Sequence, residues 1–206
     1  MKRPVYNAIH SLLFDQKHFL DALLERFGGW LPDETYIRWD YYLNHSRAID
    51  LENPQRYTEK LQWLKLYYRD PLWTQMVDKY RVKELVSERV GSEHVAPVLG
   101  VWNRAEDIEW EKLPNQFVLK TNHDSGNNGV FIIHDKSQIN KSQMIRRINA
   151  SLRRDTSKAG REWPYRDVKR CVFAEQYLED ATGELRDYKF FCFDGVVKYL
   201  FIATER

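Results

Sequence analysis

Apolar side chains recur every three to four residues through the first part of the chain, which is the spacing of an amphipathic helix. The first such stretch ends at Gly28 and Gly29, and similar patterns at 59–69 and 78–91 predict two further helices. Because the polar face of the first stretch carries both charge signs, packing on a protein core is favoured over lying on a membrane surface. Its apolar face consists of Ile9, Leu12, Leu13, Leu20, Leu23, Leu24 and Phe27.

Beyond residue 95, short apolar runs between polar loops replace the helical spacing. Asp194 and Gly195 separate two β-rich runs, which is typical of a β-hairpin. Helices come first and a mixed, mostly β region follows, so the expected fold class is α+β or α/β. The other predicted elements are a buried strand at 95–102, a short helix at 105–114, strands at 115–122, at 129–135 and at the start of 170–180, and a helix at 141–155.

Composition narrows the class of protein. The chain has 206 residues, 43% of them hydrophobic, which suffices for one sizeable folded domain. Its net charge of +2 lacks the basic excess of a general nucleic-acid binder, so no nucleic acid partner is expected. No run approaches the roughly 18 apolar residues of a membrane helix, and neither a transmembrane segment nor a secretory signal is expected. Cys171 and Cys192 lack metal-ligand spacing and are expected to be reduced thiols in a cytoplasm.

A polar loop containing glycine stands between two predicted strands in FVLKTNHDSGNNGVFIIHD, residues 117–135, and Lys120 lies just before it. Backbone N–H groups of an open loop can converge on anionic oxygens, and a lysine adds a charge for the same anion. The unit suits polyphosphate binding, although the lysine precedes the glycines and the GxxxxGK[ST] pattern is absent. The alternative is a plain hairpin loop with an ordinary surface lysine, and the loop alone leaves both interpretations open.

Longer sequence segments favour the interpretation that this loop binds a polyphosphate. EKLQWLKLYYRDPL, VDKYRVKELV, LPNQFVLKTNHDSG, GREWPY and LEDATGELRDYKFFCFDG together resemble the TupA-like branch of the ATP-grasp superfamily, found in bacterial cell-envelope polysaccharide (teichuronopeptide) biosynthesis. The resemblance runs from about Asn53 to Arg206 and implies a nucleotide between two α+β subdomains beneath a glycine-rich flap. The implied division is an N-terminal helical region at 1–70, an A-subdomain at 71–174, and a hinge with the start of an incomplete B-subdomain at 175–206.

The resemblance assigns the phosphates of ATP to two lysines and a flap. Lys79 resembles the first ATP-contacting lysine, and Lys120 resembles the second, beside the α- and β-phosphates. The plain alternative for Lys79 is a solvated helix residue, and for His123 a structural or solvent-exposed loop residue. The implied flap comprises His123, Asp124, Ser125, Gly126, Asn127, Asn128 and Gly129.

The same resemblance assigns the nucleoside to residues that follow the flap. Glu175 would accept the adenine amino group, and the backbone of Leu178 would meet the ring edge. Asp187 stands where the family often carries the ribose-binding acid, with Glu179 and Glu184 as competitors. A structural alternative exists for each, since Glu175 could pair with an arginine on a neighbouring strand and Asp187 could cap a strand turn.

Acceptor-binding candidates come from the later cationic and aromatic residues. In GREWPY, Arg161 and Trp163 suit a sugar acid, although they suit packing equally well. Lys189 and Arg206 could reach the phosphates or the acceptor. A row of arginines could bind an anionic glycan, but such a charge run is usually a solvated helix face. Its members are Arg146, Arg147, Arg153 and Arg154.

Magnesium is expected beside ATP from the resemblance, because it bridges the phosphates and takes oxygen ligands. After Asp187 the only acids are Asp194 and Glu205, and no Glu-x-Asn triplet occurs. The magnesium ligands are therefore expected to be absent from this chain. That pattern predicts a C-terminally shortened protein, or one whose site a partner completes.

The implied reaction is that of a carboxylate–amine ligase, in which ATP converts a carboxylate to an acyl phosphate and an amine then forms an amide. The carboxylate would be a uronic acid of an envelope polysaccharide, so the expected partners are a nucleotide and an anionic saccharide acceptor. The expected location is cytoplasmic, with peripheral association at the inner membrane as an option. Alternatives are a non-catalytic nucleotide- or glycan-binding remnant and a glycosyltransferase, although the DxD motif of the latter is absent. No catalytic side chain is assigned.

Overall fold

The computed structural model describes residues 16–124, 128–179 and 186–203. Several sequence-based expectations lie outside these described residues and stay predictions. They concern residues 1–15 and Ser125, Gly126, Asn127, Glu184 and Arg206.

Six α-helices occupy the described part of the chain, and four of them lie in stretches whose apolar spacing predicts a helix. The last helix begins where the Asn140 side chain accepts the backbone N–H of Gln143 at 2.9 Å, which satisfies a donor at the helix start. The first ends immediately before Gly28, as the pattern predicts. The helices are α1 (Gln16–Phe27), α2 (Asp33–His45), α3 (Tyr57–Tyr67), α4 (Leu72–Val77), α5 (Val82–Val90) and α6 (Lys141–Leu152).

Helices α2 and α3 enclose the smaller of two apolar cores in the described residues. Tyr41 is fully buried there, and its hydroxyl lies 3.1 Å from that of Thr58, so the buried polar group has a partner. The carboxylate of Glu59 is also buried and accepts the backbone N–H groups of Gln55 and Arg56 at 3.1 and 2.9 Å, which fixes the start of α3. The buried apolar members of this core are Ile37, Tyr41, Ile49 and Leu51.

Four strands form one antiparallel sheet in the order β1–β4–β2–β3. In its register Val118 lies opposite Glu175, and Lys120 lies opposite Phe173. The sheet together with the helices confirms an α+β fold, and every described strand pair is antiparallel. The strands are β1 (Val98–Trp102), β2 (Phe117–Thr121), β3 (Val130–Ile133) and β4 (Val172–Gln176).

The larger core lies between one face of this sheet and helix α6. Ile148 of α6 is fully buried, and Ile145 and Leu152 of the same helix pack against the cluster, as the helical spacing predicts. This layer holds α6 on the sheet and brings the C-terminal end of the helix to the loop after β2. The buried sheet residues of the core are Phe117, Leu119, Phe131, Ile133, Val172 and Ala174.

A separate hairpin consists of β5 (Asp187–Phe193) and β6 (Val196–Ala203). Asp194 and Gly195 form its turn with φ of 50° and 73°, which confirms the hairpin predicted from this pair. Apolar side chains of both strands stay about half exposed, including Phe190 at 58% and Leu200 at 50%. An isolated two-stranded sheet gains little stability from such limited burial.

Three local expectations differ from the structure. The strand predicted as buried is the edge strand β1, whose Val98, Leu99 and Val101 are exposed, because only β4 pairs with it. The stretch 105–113 forms two short 3₁₀ turns rather than one helix, since Ala105 and Trp110 each turn inward to the core. Helix α5 begins at Val82, and the four residues before it form a turn.

Arg161 connects the N-terminal helices to the rest of the fold. One of its terminal nitrogens donates to the backbone carbonyls of Gly28 and Leu31 at 2.8 and 3.2 Å. The guanidinium lies 4.3 Å from the ring centroid of Tyr36, and Nε lies 3.5 Å from an Asp33 carboxylate oxygen. The side chain is 8% exposed, so these contacts compensate a buried charge.

We therefore expect Arg161→Ala to lower the free energy of unfolding by roughly 2–4 kcal/mol, because it removes the hydrogen bonds to the carbonyls of Gly28 and Leu31 and the contact with the Tyr36 ring. Urea denaturation followed by tryptophan fluorescence measures the change. Arg166→Ala is the matched control, since Arg166 reaches the same Asp33 at 4.0 Å but is 60% exposed, and it should change stability by about 0.5 kcal/mol or less. Equal losses in the two variants would contradict this assignment.

Candidate functional site

The candidate site begins on the sheet face opposite α6. Side chains alternate along β2, so Phe117 and Leu119 enter the core while Val118 and Lys120 take the other face. The Lys120 ammonium forms an ion pair with the carboxylate of Glu175 on the neighbouring strand β4. Glu175 is buried and Lys120 is partly exposed, so the lysine can still reach a ligand above this face.

Lys83 contacts the same carboxylate from the first turn of α5. Its ammonium lies 2.9 Å from one oxygen of Glu175 and donates to the carbonyl of Ala96 at 3.0 Å. Sequence reasoning missed Lys83. The available signal was its position four residues after Lys79, because residues so spaced in a helix share one face. Two lysines from different elements thus share one buried carboxylate.

Lys79 lies at the loop that follows β2, in the turn before α5. Its backbone N–H donates to the carbonyl of Asn122 at 2.9 Å, and its ammonium donates to the carbonyl of Asp124. Burial lowers the pKa of Lys79, and the charge of Lys120 acts in the same direction, while Asp124 and Glu175 oppose the shift. Lys79, Lys120 and Glu175 therefore form one electrostatic group.

The buried amide of Asn122 holds this turn against the loop. It donates to a carboxylate oxygen of Asp78 at 2.9 Å and to the carbonyl of Lys169 at 3.0 Å, and it accepts the N–H of Cys171 at 2.9 Å. The other oxygen of Asp78 accepts the N–H groups of Tyr80 and Arg81, which shapes the turn. The sequence analysis did not identify Asn122 or Asp78. The available signal was that both residues lie in sequence segments that resemble the family, LPNQFVLKTNHDSG and VDKYRVKELV.

The first two residues of the expected flap turn inward. His123 and Asp124 are both fully buried. The Asp124 carboxylate accepts the hydroxyl of Ser151 at 2.7 Å and lies 3.5 Å from Arg154, while the His123 ring lies 3.2 Å from the Arg154 carbonyl. These side chains tie the start of the loop to the C-terminal end of α6, while the backbone carbonyl of Asp124 accepts the Lys79 ammonium.

Gly129 closes the loop on its other side at a position that admits no side chain. It is buried, and its carbonyl accepts the N–H of Thr121 at 2.9 Å. A Cβ added there would lie 2.4 Å from the Thr121 hydroxyl oxygen and 2.7 Å from the Asp124 Cβ, both below contact distance. The glycine therefore lets the two ends of the loop approach closely.

Four other predicted site residues lie in two other parts of the structure. Trp163 is buried by stacking on Trp73, with ring centroids 6.2 Å apart, and Arg161 is engaged at the N-terminal helices, as described above. Asp187 and Lys189 form an ion pair with each other at the start of the hairpin. Among the described residues, the structure therefore brings Lys79 and Lys120 together with Glu175, and it places Arg161, Trp163 and Lys189 in packing or ion-pair contacts.

No three His, Cys, Asp or Glu side chains of residues 16–124, 128–179 and 186–203 come together in a way that could hold a metal ion. Magnesium usually takes one or two protein carboxylates together with waters and substrate phosphates, so this finding assigns no residue to it. Cys171, the thiol beside Asn122, does not supply a nucleophile, because burial raises its pKa to about 12.

Comparison with known proteins identifies the family of this chain. A family profile described as TupA-like ATPgrasp matches residues 59–206, well over half of the chain. The fold and the lysine cluster thus occur in a protein of the ATP-grasp class, and the chain belongs to the TupA-like ATP-grasp family. No curated protein and no solved structure matches the chain.

Membership of this family carries general properties. ATP-grasp proteins bind a nucleotide, generally ATP with Mg²⁺, and their activities are of the ATP-dependent ligase type. Among the described helices, none is both long enough and apolar enough to cross a membrane.

The buried imidazole of His123 makes a testable contribution to stability. Its pKa is lowered from an ordinary value of about 6.5, first by burial and then by the charge of Arg170, while Asp124 and the carbonyls of Arg154 and Ser151 oppose the shift. The unfolded chain therefore binds the proton more readily than the folded one. The stabilising contribution is complete above pH 6.5 and is lost as the pH falls through the folded pKa.

Urea denaturation at pH 7.5 and 5.5 would measure this contribution. Between these values, wild type should lose more free energy of unfolding than His123→Gln, by at most about 1.4 kcal/mol, because the variant cannot take up the proton. His94→Gln, which changes an exposed histidine, should lose as much as wild type. A His123→Gln profile that parallels wild type would contradict the depressed pKa.

Proposed function

We propose that this chain binds ATP on the sheet face formed by Lys79, Lys120 and Glu175. The observation that carries the proposal is the convergence of two lysine side chains on the base of a loop tied down by buried side chains. Lysine supplies a compact positive charge for phosphate oxygens, and an anchored loop can present backbone N–H groups to the same anion. This arrangement supports the phosphate contacts implied by the family pattern.

Each described residue would then have a distinct part in holding the nucleotide. Lys120 would leave Glu175 and contact the α- and β-phosphates, while Lys79 would contact the phosphates from the turn before α5. Glu175 would accept a hydrogen bond from the adenine amino group, and the backbone of Leu178, an exposed residue after β4, would meet the ring edge. Asp187 would hold the ribose hydroxyls.

We further propose that the chemistry is carboxylate activation for amide formation on a uronic acid of a bacterial envelope polysaccharide. A carboxylate oxygen attacks the γ-phosphorus of ATP, ADP leaves, and an acyl phosphate forms. An amine nitrogen then attacks the acyl carbon, and phosphate leaves with formation of the amide. Such a reaction needs no protein nucleophile, because positioning and positive charge lower the barrier. Since ATP is the proposed substrate, we expect the reaction to occur in the cytoplasm.

Magnesium bound with ATP would offset the negative charge of the phosphates. Since no three His, Cys, Asp or Glu side chains cluster among the described residues, we assign no step and no residue of this chain to the metal. The contribution assigned here is that of the lysines and the loop, which bind and orient the polyphosphate.

Calorimetric titration with ATP, with and without magnesium, tests nucleotide binding. Lys120→Gln should weaken ATP binding at least tenfold, about 1.4 kcal/mol, because it removes a charge that contacts the phosphates. Lys112→Gln is the control, since Lys112 is an exposed lysine paired with Glu109, and it should bind ATP like wild type. Failure of wild type to bind ATP would overturn the proposal, and binding of a UDP-sugar instead would favour a glycosyltransferase.

Trapping with hydroxylamine tests the reaction class. An acyl phosphate formed from glucuronate or galacturonate reacts with hydroxylamine to give a hydroxamate, which is read by its colour with iron(III). ATP-dependent hydroxamate from wild type, and its loss in Lys120→Gln, would support ligase chemistry. ATP binding without hydroxamate from either sugar acid would favour a binding protein instead.

A further inference from the structure

Glu175 is a buried carboxylate with two cationic partners on different elements. Lys120 approaches it from β2, and Lys83 approaches it from α5 at 2.9 Å. The side chain of Glu175 is 8% exposed, whereas those of Lys83 and Lys120 are 17% and 28% exposed. Of the two partners, Lys120 is the more accessible to a ligand.

Lys83 is held where it stands by a second contact. Its ammonium also donates to the backbone carbonyl of Ala96, at 3.0 Å, in the segment that leads into β1. Lys83 therefore stays beside Glu175 without help from Lys120. Lys120 projects from the strand end next to the loop base, where the phosphates of the proposed nucleotide would lie.

Binding of a polyphosphate by Lys120 has an electrostatic cost at Glu175. If Lys120 were the sole partner, its departure would leave a buried carboxylate without a counter-ion, which is strongly unfavourable. That cost would be subtracted from the affinity for the anion. A second lysine beside the carboxylate removes most of the cost, because the charge of Glu175 remains compensated after Lys120 moves.

We propose that Lys83 remains as the counter-ion of Glu175 when the Lys120 ammonium moves to the phosphates. The inference rests on the proposed binding of ATP at this face. Lys83 touches neither phosphate nor base in this arrangement, and it acts through Glu175 as a positioning residue. The pairing also keeps the Glu175 carboxylate directed toward the place of the adenine amino group.

Inorganic tripolyphosphate is the probe that isolates this effect, because it presents phosphates without a base or ribose. Calorimetry should find that Lys83→Gln weakens tripolyphosphate binding by about tenfold, since Lys120 then becomes the sole partner of Glu175. Lys83→Arg should restore the affinity to within about twofold of wild type, because arginine keeps the charge. Lys112→Gln should have no effect.

The double variant Lys83→Gln/Glu175→Gln separates this role from a purely structural one. Once residue 175 carries no charge, no counter-ion is needed, so adding Lys83→Gln to Glu175→Gln should change the tripolyphosphate affinity by less than about twofold. This comparison holds even if Lys83→Gln alone does not fold, because the double variant buries no uncompensated carboxylate. Melting temperatures identify variants that are folded.

The outcomes distinguish this inference from the proposed function. If wild type binds tripolyphosphate and Lys83→Gln binds it equally well, the counter-ion role is wrong and ATP binding still stands. A tenfold loss that persists in the Glu175→Gln background would also overturn it, since the loss would then come from structure. If wild type binds neither tripolyphosphate nor ATP, both proposals are overturned.

Discussion

The arrangement of the site depends on the buried amide of Asn122. Its three hydrogen bonds join the turn that carries Lys79, the segment that enters β4, and the loop after β2. A buried amide without hydrogen-bond partners would destabilise the fold, so these bonds stabilise the contact among the three segments. Asp78 extends the same contact into the start of α5. The lysines are therefore presented by a backbone that is constrained before any ligand arrives.

The site combines one buried acid with three lysines, which outnumber it. Glu175 compensates Lys120 and Lys83, and the carbonyl of Asp124 engages Lys79. Such a group of cations would repel strongly without the carboxylate, and the carboxylate would be unfavourable without the cations. A bound polyphosphate would enter this balance as additional negative charge. The same residues that stabilise the face without ligand are then available to hold the anion, which links stability and binding.

Four of the helices and the hairpin were predictable because their signals are local. The apolar spacing of α6 and the Asp194–Gly195 turn are each contained in a few consecutive residues. The direction of His123 and Asp124 was not predictable in this way, since it depends on Ser151 and the end of α6, which lie far away in the chain. Polar loop residues are usually solvated, and their burial here requires partners that only tertiary packing supplies.

The sequence alone indicated the class of the fold and the resemblance to the family. Through that resemblance it also assigned Lys79, Lys120 and Glu175 to one candidate site. Strand alternation was enough to put Lys120 on one face of β2, but only the register of β2 with β4 placed Glu175 beside it. Tertiary structure alone revealed Lys83 as a partner of Glu175, and Arg161 as a link to the carbonyls of Gly28 and Leu31. The physical reason is that periodicity reports which side of an element is apolar, whereas the pairing of buried charges and amides depends on which elements come into contact.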